Sequence, residues 1–434
     1  MTARWSVLML VAAAAAVAPT LAQRPASVLV VRNVALIDGT GAALRPNVTI
    51  VLTGNRITAI QTATAPVPPG ARIVEGTGKY VIPGLWDMHV HLGDATSSEP
   101  ALTMFLAAGV TGVRDMGSPR FERLRSWREE IARGERVGPR IVAPGPLLQA
   151  GPPVDTNHVE IRDSIQARHV VDSLADLGVD FIKVHEILTR AEYFAIADEA
   201  HRRGLPYVGH LPVRNDTVLV TAVEAVMAGQ RSLEHLAGIP YYIRDVSHAA
   251  MYDSLRSIGA YVDPTLQPFW ALAHVTDSAL WTDPRLQVVP AFRRAQWEDI
   301  RSHRSAAGQA FMARLLGWRM AAVHDLQVAG VPLVAGTDVG VLPLVYPGTS
   351  LHDELVRLVE SGLTPLEALQ SATINPARFL GRERDLGTVE VGKLADLVVL
   401  DANPLLDIAN VGRVRFVIAD GRLFDEQTLI RTKL

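Results

Sequence analysis

Two histidines one residue apart, His89 and His91, end the apolar run "VIPGLWDMHVHL", with Asp87 two residues before them. A spacing of two puts all three side chains on one face of an extended strand. Imidazole and carboxylate are ligands for divalent cations, but a single strand supplies only one edge of a site. Four more residues of suitable type stand in or at the end of apolar runs: Lys183 in "VDFIKVHE", His210 in "PYVGHL", His235 in "RSLEHL" and Asp338 in "VPLVAGTD". Lys183 is the odd member. An ammonium among Phe181, Ile182 and Val184 would be desolvated at considerable cost and has no lone pair to offer a metal. Pairing with an acid such as Glu186 is one way to accommodate it. With no thiolate in the set, the donors suit Zn²⁺, with Mn²⁺, Co²⁺ or Ni²⁺ as substitutes.

Such residues meet only if the fold brings strand ends together. Counting "YVIPGLWDMHVHL" first, apolar runs recur at 109–115, 140–145, 179–186, 206–211, 231–236, 260–266 and 331–338. Helical patterns with Gly at the stop, such as "SIQARHVVDSLADLG" and "VLVTAVEAVMAG", lie between them. Eight βα units predict a (β/α)8 TIM barrel with its chemistry at the C-terminal strand ends. A doubly wound open sheet is the alternative, and no Gly-x-Gly-x-x-Gly opens a helix to favour it. The metal-ligand types then fall on strands one, four, five, six and eight. Both chain ends are instead rich in short Val/Ile strands with Asp-Gly and Gly-Asn turns, too few at either end to bury a face alone. They predict one small β-sandwich domain made from residues 23–80 and 382–434 around a barrel at 81–381. More than sixty residues separate the seventh and eighth strands, and 267–300 reads as a partly helical lid with Phe269, Trp270 and Trp281 available to a pocket, or else as a structural insertion or subunit contact.

Composition adds bounds. At 434 residues, 48% hydrophobic and 20% charged, the chain has ample core material. A net charge of −3 gives no reason to propose nucleic acid as a partner. Residues 1–22 read as a signal peptide, with Arg4, the short apolar stretch "VLMLVAAAAAVA" and cleavage near Ala22, so export to a periplasm or medium is expected. No segment of the mature chain is apolar enough to span a membrane, and the absence of Cys excludes disulfides.

The pattern resembles the amidohydrolase superfamily of metal-dependent hydrolases, with its prolidase-like and imidazolonepropionase-like members nearest. The likeness runs from about residue 28 to 425. "VIPGLWDMHVHL" resembles the first metal motif, "DFIKV" the strand of a carboxylated lysine and "GTD" the catalytic aspartate motif. "SLHDELVRLVESGLTPLEALQSATINPARFLG" and "GTVEVGKLADLVVLDANP" resemble the return into the β-domain. The resemblance implies two divalent metal ions, one held by His89, His91 and Asp338, the other by His210 and His235. Lys183, carbamylated by CO₂, would bridge them. A carbamate would remove the buried-cation problem by turning Lys183 into a bidentate anion.

The expected reaction is hydrolysis of an amide or peptide carbon–nitrogen bond through a metal-bridging hydroxide, with Asp338 as the catalytic proton carrier. The resemblance suggests a dipeptide or N-acyl amino acid as substrate. An aromatic lining from Phe269 and Trp270 would admit aryl amides such as ochratoxin. His185 shares the Lys183 face and is a further candidate substrate contact. Where relatives carry Gly-Gly-His after the third strand, this chain has "GPPVDTNHVE", so contacts there do not carry over. A cyclic-amide or lactone hydrolase, a single-metal deaminase and a catalytically silent binding protein are the rival readings. A homo-oligomer is expected from the resemblance alone. His158, His169, His201, His248, His274, His303, His324 and His352 read as surface or packing residues. Arg114 and Asp115 read as a structural ion pair, and Thr364, Pro365 and Glu367 as a helix-capping box.

Overall fold

The computed structural model describes residues 27–92, 100–151, 157–214, 217–240, 248–425 and 429; the signal-peptide reading of residues 1–22 lies outside them. Strands from both chain ends share one eight-stranded sheet. Leu397–Leu400 lies antiparallel between Tyr80–Pro83 and Val414–Ala419, and Val28–Leu36 pairs with Tyr80–Pro83 on one side and Arg45–Thr53 on the other. Arg72–Glu75 also pairs with Val28–Leu36, so the sheet branches along that strand and closes over a core that includes Val31, Ile50, Ile57, Val81, Val399 and Ile418.

Between these ends, parallel strands alternate with helices. The first seven barrel strands are Leu85–Val90, Val110–Asp115, Arg140–Val142, Ile182–Val184, Tyr207–Gly209, Gln230–Glu234 and Tyr261–Asp263. Every residue of the first and second is buried, as expected of parallel strands covered on both faces. Helix signals act as read: Asp163 caps Ser164–Leu177, Gly178 ends it in a left-handed conformation, and Thr364 with Glu367 forms the capping box of Pro365–Ser371.

The ring is not one continuous ladder. Strands one to three form a three-stranded sheet, while strands four to seven join Leu147–Ala150 and His158–Ile161 in a six-stranded sheet. The third strand runs into Ala143-Pro144-Gly145-Pro146, where proline supplies no N–H for pairing. Asp180 spans this seam, its N–H donating to the Ala143 carbonyl and its carboxylate accepting from Ala143 N at 2.8 Å. On the opposite side the eighth segment, 331–339, has only isolated bridges yet bonds both neighbours. Val334 N donates to Val262 O, Met88 N to Ala335 O and Asp338 N to His89 O. The fold is a (β/α)8 barrel with an attached sheet domain.

The interval after the seventh strand holds the helices Leu266–Ala273, Ala291–Ser302 and Ala306–Val328 with two short 3₁₀ turns. Trp270 and Trp281 join Trp297, Leu344 and Tyr346 in an apolar cluster of its own. Among the described residues no helix is long and apolar enough to cross a membrane.

Candidate metal centre

Six histidine rings form an unbroken chain across the strand ends. Centroids lie 5.5 Å apart for His91 and His89, 4.5 Å for His89 and His235, and 5.0 Å for His235 and His210. His185 follows at 4.7 Å from His210, and His158 meets His185 edge-on at 5.2 Å. His158, read as a surface or packing residue, thus stands beside the centre. The ring of His352 is turned elsewhere, its Nε2 against the Ala108 carbonyl at 2.7 Å.

At one end of the chain Asp338 Oδ1 lies 3.5 Å from His89 Nε2 and 3.3 Å from His91 Nε2, so these three offer donor atoms to a single point. Asp338 reaches it from a left-handed backbone conformation, φ 53°, held by its own N–H on His89 O. Asp87 secures the same turn: its carboxylate accepts from Thr337 N at 3.0 Å and Thr337 Oγ1 at 2.7 Å. Burial lifts the Asp87 carboxyl to about 7.

Lys183 stands among these rings, wholly buried, and its Nζ makes no hydrogen bond. Pairing with Glu186 does not occur. Burial pulls its ammonium down to about 8, with Glu234 resisting the fall. Burial first, then Lys183 and the adjacent rings of His235, His185 and His89, holds His210 far below the ordinary imidazole value; burial, His89 and Lys183 do the same for His235. Burial and Lys183 likewise lower His89. All three are therefore neutral, which is the state that can bind a metal. Burial would lower His91 too, but the Asp338 carboxylate outweighs it and raises it. Both ring nitrogens of His210 are buried without partners. An isolated amine and an imidazole with two idle nitrogens are costly in a dry interior. These orphans, with the neutral imidazoles of His89 and His235 and the Asp338 carboxylate, fit divalent cations.

One group of residues was not legible as functional. Arg114, fully buried, donates through Nη2 to Glu234 Oε2 at 2.9 Å and approaches Asp263 Oδ2 at 3.5 Å. Glu234 in turn meets His89 Nδ1 at 3.1 Å. His89, Glu234 and Asp263 also cluster tightly enough to hold an ion, but the guanidinium already fills that role, so they serve as support. The expected Arg114–Asp115 pair is not formed. Successive strand residues point to opposite faces, and Asp115 instead accepts from Leu92 N at 2.7 Å and Gly117 N at 3.2 Å. The alternation was visible in the sequence; the partners, on strands six and seven, were not.

The aromatic candidates have other occupations. Arg319 lies 3.5 Å from the centroid of Phe269, while Trp270 stacks on His274 at 4.4 Å with Arg357 at 4.8 Å. Trp281 donates its indole N–H to the Val275 carbonyl at 2.8 Å. Of the substrate candidates, only His185 has its ring packed against a metal-ligand candidate.

Comparison with known proteins agrees with this geometry. The Amidohydrolase family profile matches residues 80–424. The chain belongs to the amidohydrolase family. This amidohydrolase is 25% identical to an imidazolonepropionase of Symbiobacterium thermophilum, over 93% of this chain and 94% of that one. It is also 25% identical to an ochratoxinase of Aspergillus niger, over 86% and 81%. Among solved structures it resembles a Xaa-Pro dipeptidase, with a TM-score of 0.71, 24% identity, and coverage of 92% of this chain and 100% of that one. That last likeness speaks for the fold. The chain is a hydrolase of a family that uses divalent metals.

Proposed function

We propose that this amidohydrolase is a binuclear enzyme that cleaves the amide or peptide bond of a dipeptide or N-acyl amino acid. The observation that carries the reading is Lys183: a buried amine with no partner, within electrostatic reach of four histidines. His89, His91 and Asp338 would hold one metal, His210 and His235 the other, and Lys183 as a carbamate both. Zn²⁺ suits this set of nitrogen and oxygen donors. Nζ would add to the carbon of CO₂ with loss of a proton, which replaces a buried cation by a bidentate anion.

Two bound cations would lower the pKa of water and polarise the scissile carbonyl. The protein supplies the proton path. Asp338 Oδ1 faces His89 and His91, which leaves Oδ2 to take the proton of the attacking water and pass it to the departing nitrogen. His185, beside His210, is the side chain we assign to substrate contact. Phe269 and Trp270 are engaged in packing, so their geometry lends an aromatic preference no support. The likeness to imidazolonepropionase over nearly all of both chains favours a cyclic amide as the second reading.

A substrate panel tests both. Zinc- and bicarbonate-loaded enzyme should release a free amino acid from linear dipeptides or N-acyl amino acids. Turnover confined to cyclic amides, which open without a second fragment, would select the alternative, and turnover of neither would overturn the reading.

A further inference from the structure

The two halves of the centre stand on different supports. His89 is braced from inside the barrel, its Nδ1 against Glu234, which Arg114 anchors. His235 is braced from the loop after the seventh strand and from the helix Ala306–Val328. Its Nδ1 lies 2.6 Å from Thr265 Oγ1, and its carbonyl accepts from Arg319 Nη2 at 2.7 Å. Arg319 also reaches the Pro264 carbonyl at 3.3 Å, tying the ends of strands six and seven together, and lies against Phe269. Three residues here are left-handed: His235 at φ 56°, Leu236 at 58° and Thr265 at 44°. For a β-branched residue such as Thr265 this is a rare conformation, sustained only where the surroundings impose it. The imposing group is Glu354, a fully buried carboxylate that accepts from Leu266 N at 2.9 Å and Gln267 N at 2.6 Å, directly after Thr265.

We propose that Thr265 is the positioning residue for the second metal alone. Its hydroxyl accepts the Nδ1 hydrogen of His235 and so leaves the Nε2 lone pair free for the cation shared with His210. Glu234 does the same for His89 at the first metal. The two metals are thereby held by independent outer contacts, and each can be weakened without the other. This rests on the binuclear reading above.

The test is metal stoichiometry and affinity on the full chain, loaded with Zn²⁺ in bicarbonate and titrated against a chromophoric chelator, with elemental analysis. Wild type should hold two zinc ions. Thr265→Val keeps the shape and β-branching but removes the hydroxyl; it should retain one ion at wild-type affinity and bind the other roughly 10- to 100-fold more weakly. Thr265→Ser should restore the second. Arg319→Lys, which alters the support of the His235 backbone and leaves Thr265 in place, should weaken the same ion. Unchanged affinity for both ions in Thr265→Val and Arg319→Lys, or equal weakening of both, would overturn the assignment. Fewer than two ions in wild type would overturn the binuclear reading and this inference with it.

Discussion

In the proposed reaction Asp338 would combine two duties at one carboxylate, facing His89 and His91 through one oxygen and leaving the other for proton transfer. Asn keeps an oxygen for the metal but cannot carry the proton. Asp338→Asn is therefore expected to lower kcat by about 10²- to 10⁴-fold with near-normal zinc content by elemental analysis; near-normal turnover would remove the residue from the proton path. Lys183 yields a pH prediction. In the proposed carbamylation its neutral amine is the form that would add CO₂, and burial brings its pKa from the usual 10.5 to about 8. The neutral fraction grows as pH rises, by roughly tenfold between pH 7 and 9. Metal-free enzyme given Zn²⁺ at a fixed concentration of dissolved CO₂ should accordingly activate faster through pH 8 and level off above it. A rate flat across that range would contradict the assignment. These residues were legible because each occupies or closes an apolar run in which a polar side chain is out of place. Arg114, Glu234 and Asp263 were not, because their mutual pairing spans strands two, six and seven and leaves no local pattern.

The eighth segment shows how an element without a regular ladder can still place a candidate metal ligand, Asp338. Its sequence reads as a strand, and Pro332, which lacks an N–H, and Gly336 interrupt it. Gly336 is required by space. A Cβ there would meet Asp263 Oδ2 at 2.4 Å and the His89 Cβ at 2.5 Å. Gly336→Ala should destabilise the fold by about 1–3 kcal/mol in chemical denaturation and displace His89, with loss of the first metal. A variant of unchanged stability that binds two metals would show that the packing there yields. The strands Leu147–Ala150 and His158–Ile161 were not legible in the sequence for a related reason. Each is four residues long and follows a Pro-rich stretch, so neither shows a full period of alternation. The insertion was recognisable from its length. What the sequence does not show is that Arg319 packs on Phe269 and that His274 stacks on Trp270.

The barrel and the terminal sheet depend on each other. Val398, Leu400 and Val417 are fully buried in the core they share with the barrel, a burial worth roughly 5–9 kcal/mol at the usual value per aliphatic side chain. That is comparable to the whole stability of an ordinary domain. Arg140 of the third barrel strand adds ion pairs to Asp396 at 3.0 Å and Asp420 at 2.8 Å. A chain ending at residue 381 should therefore show no cooperative thermal transition by circular dichroism; a native-like transition would show that the barrel stands alone.

The most direct measurement is a crystal structure of zinc- and bicarbonate-treated protein with anomalous data at the zinc edge. Two peaks about 3.5–4 Å apart, one beside His89, His91 and Asp338 and the other beside His210 and His235, are predicted, with density continuing from the Lys183 Nζ between them. A single peak, or a bare Lys183 amine turned away from the histidines, would contradict the account.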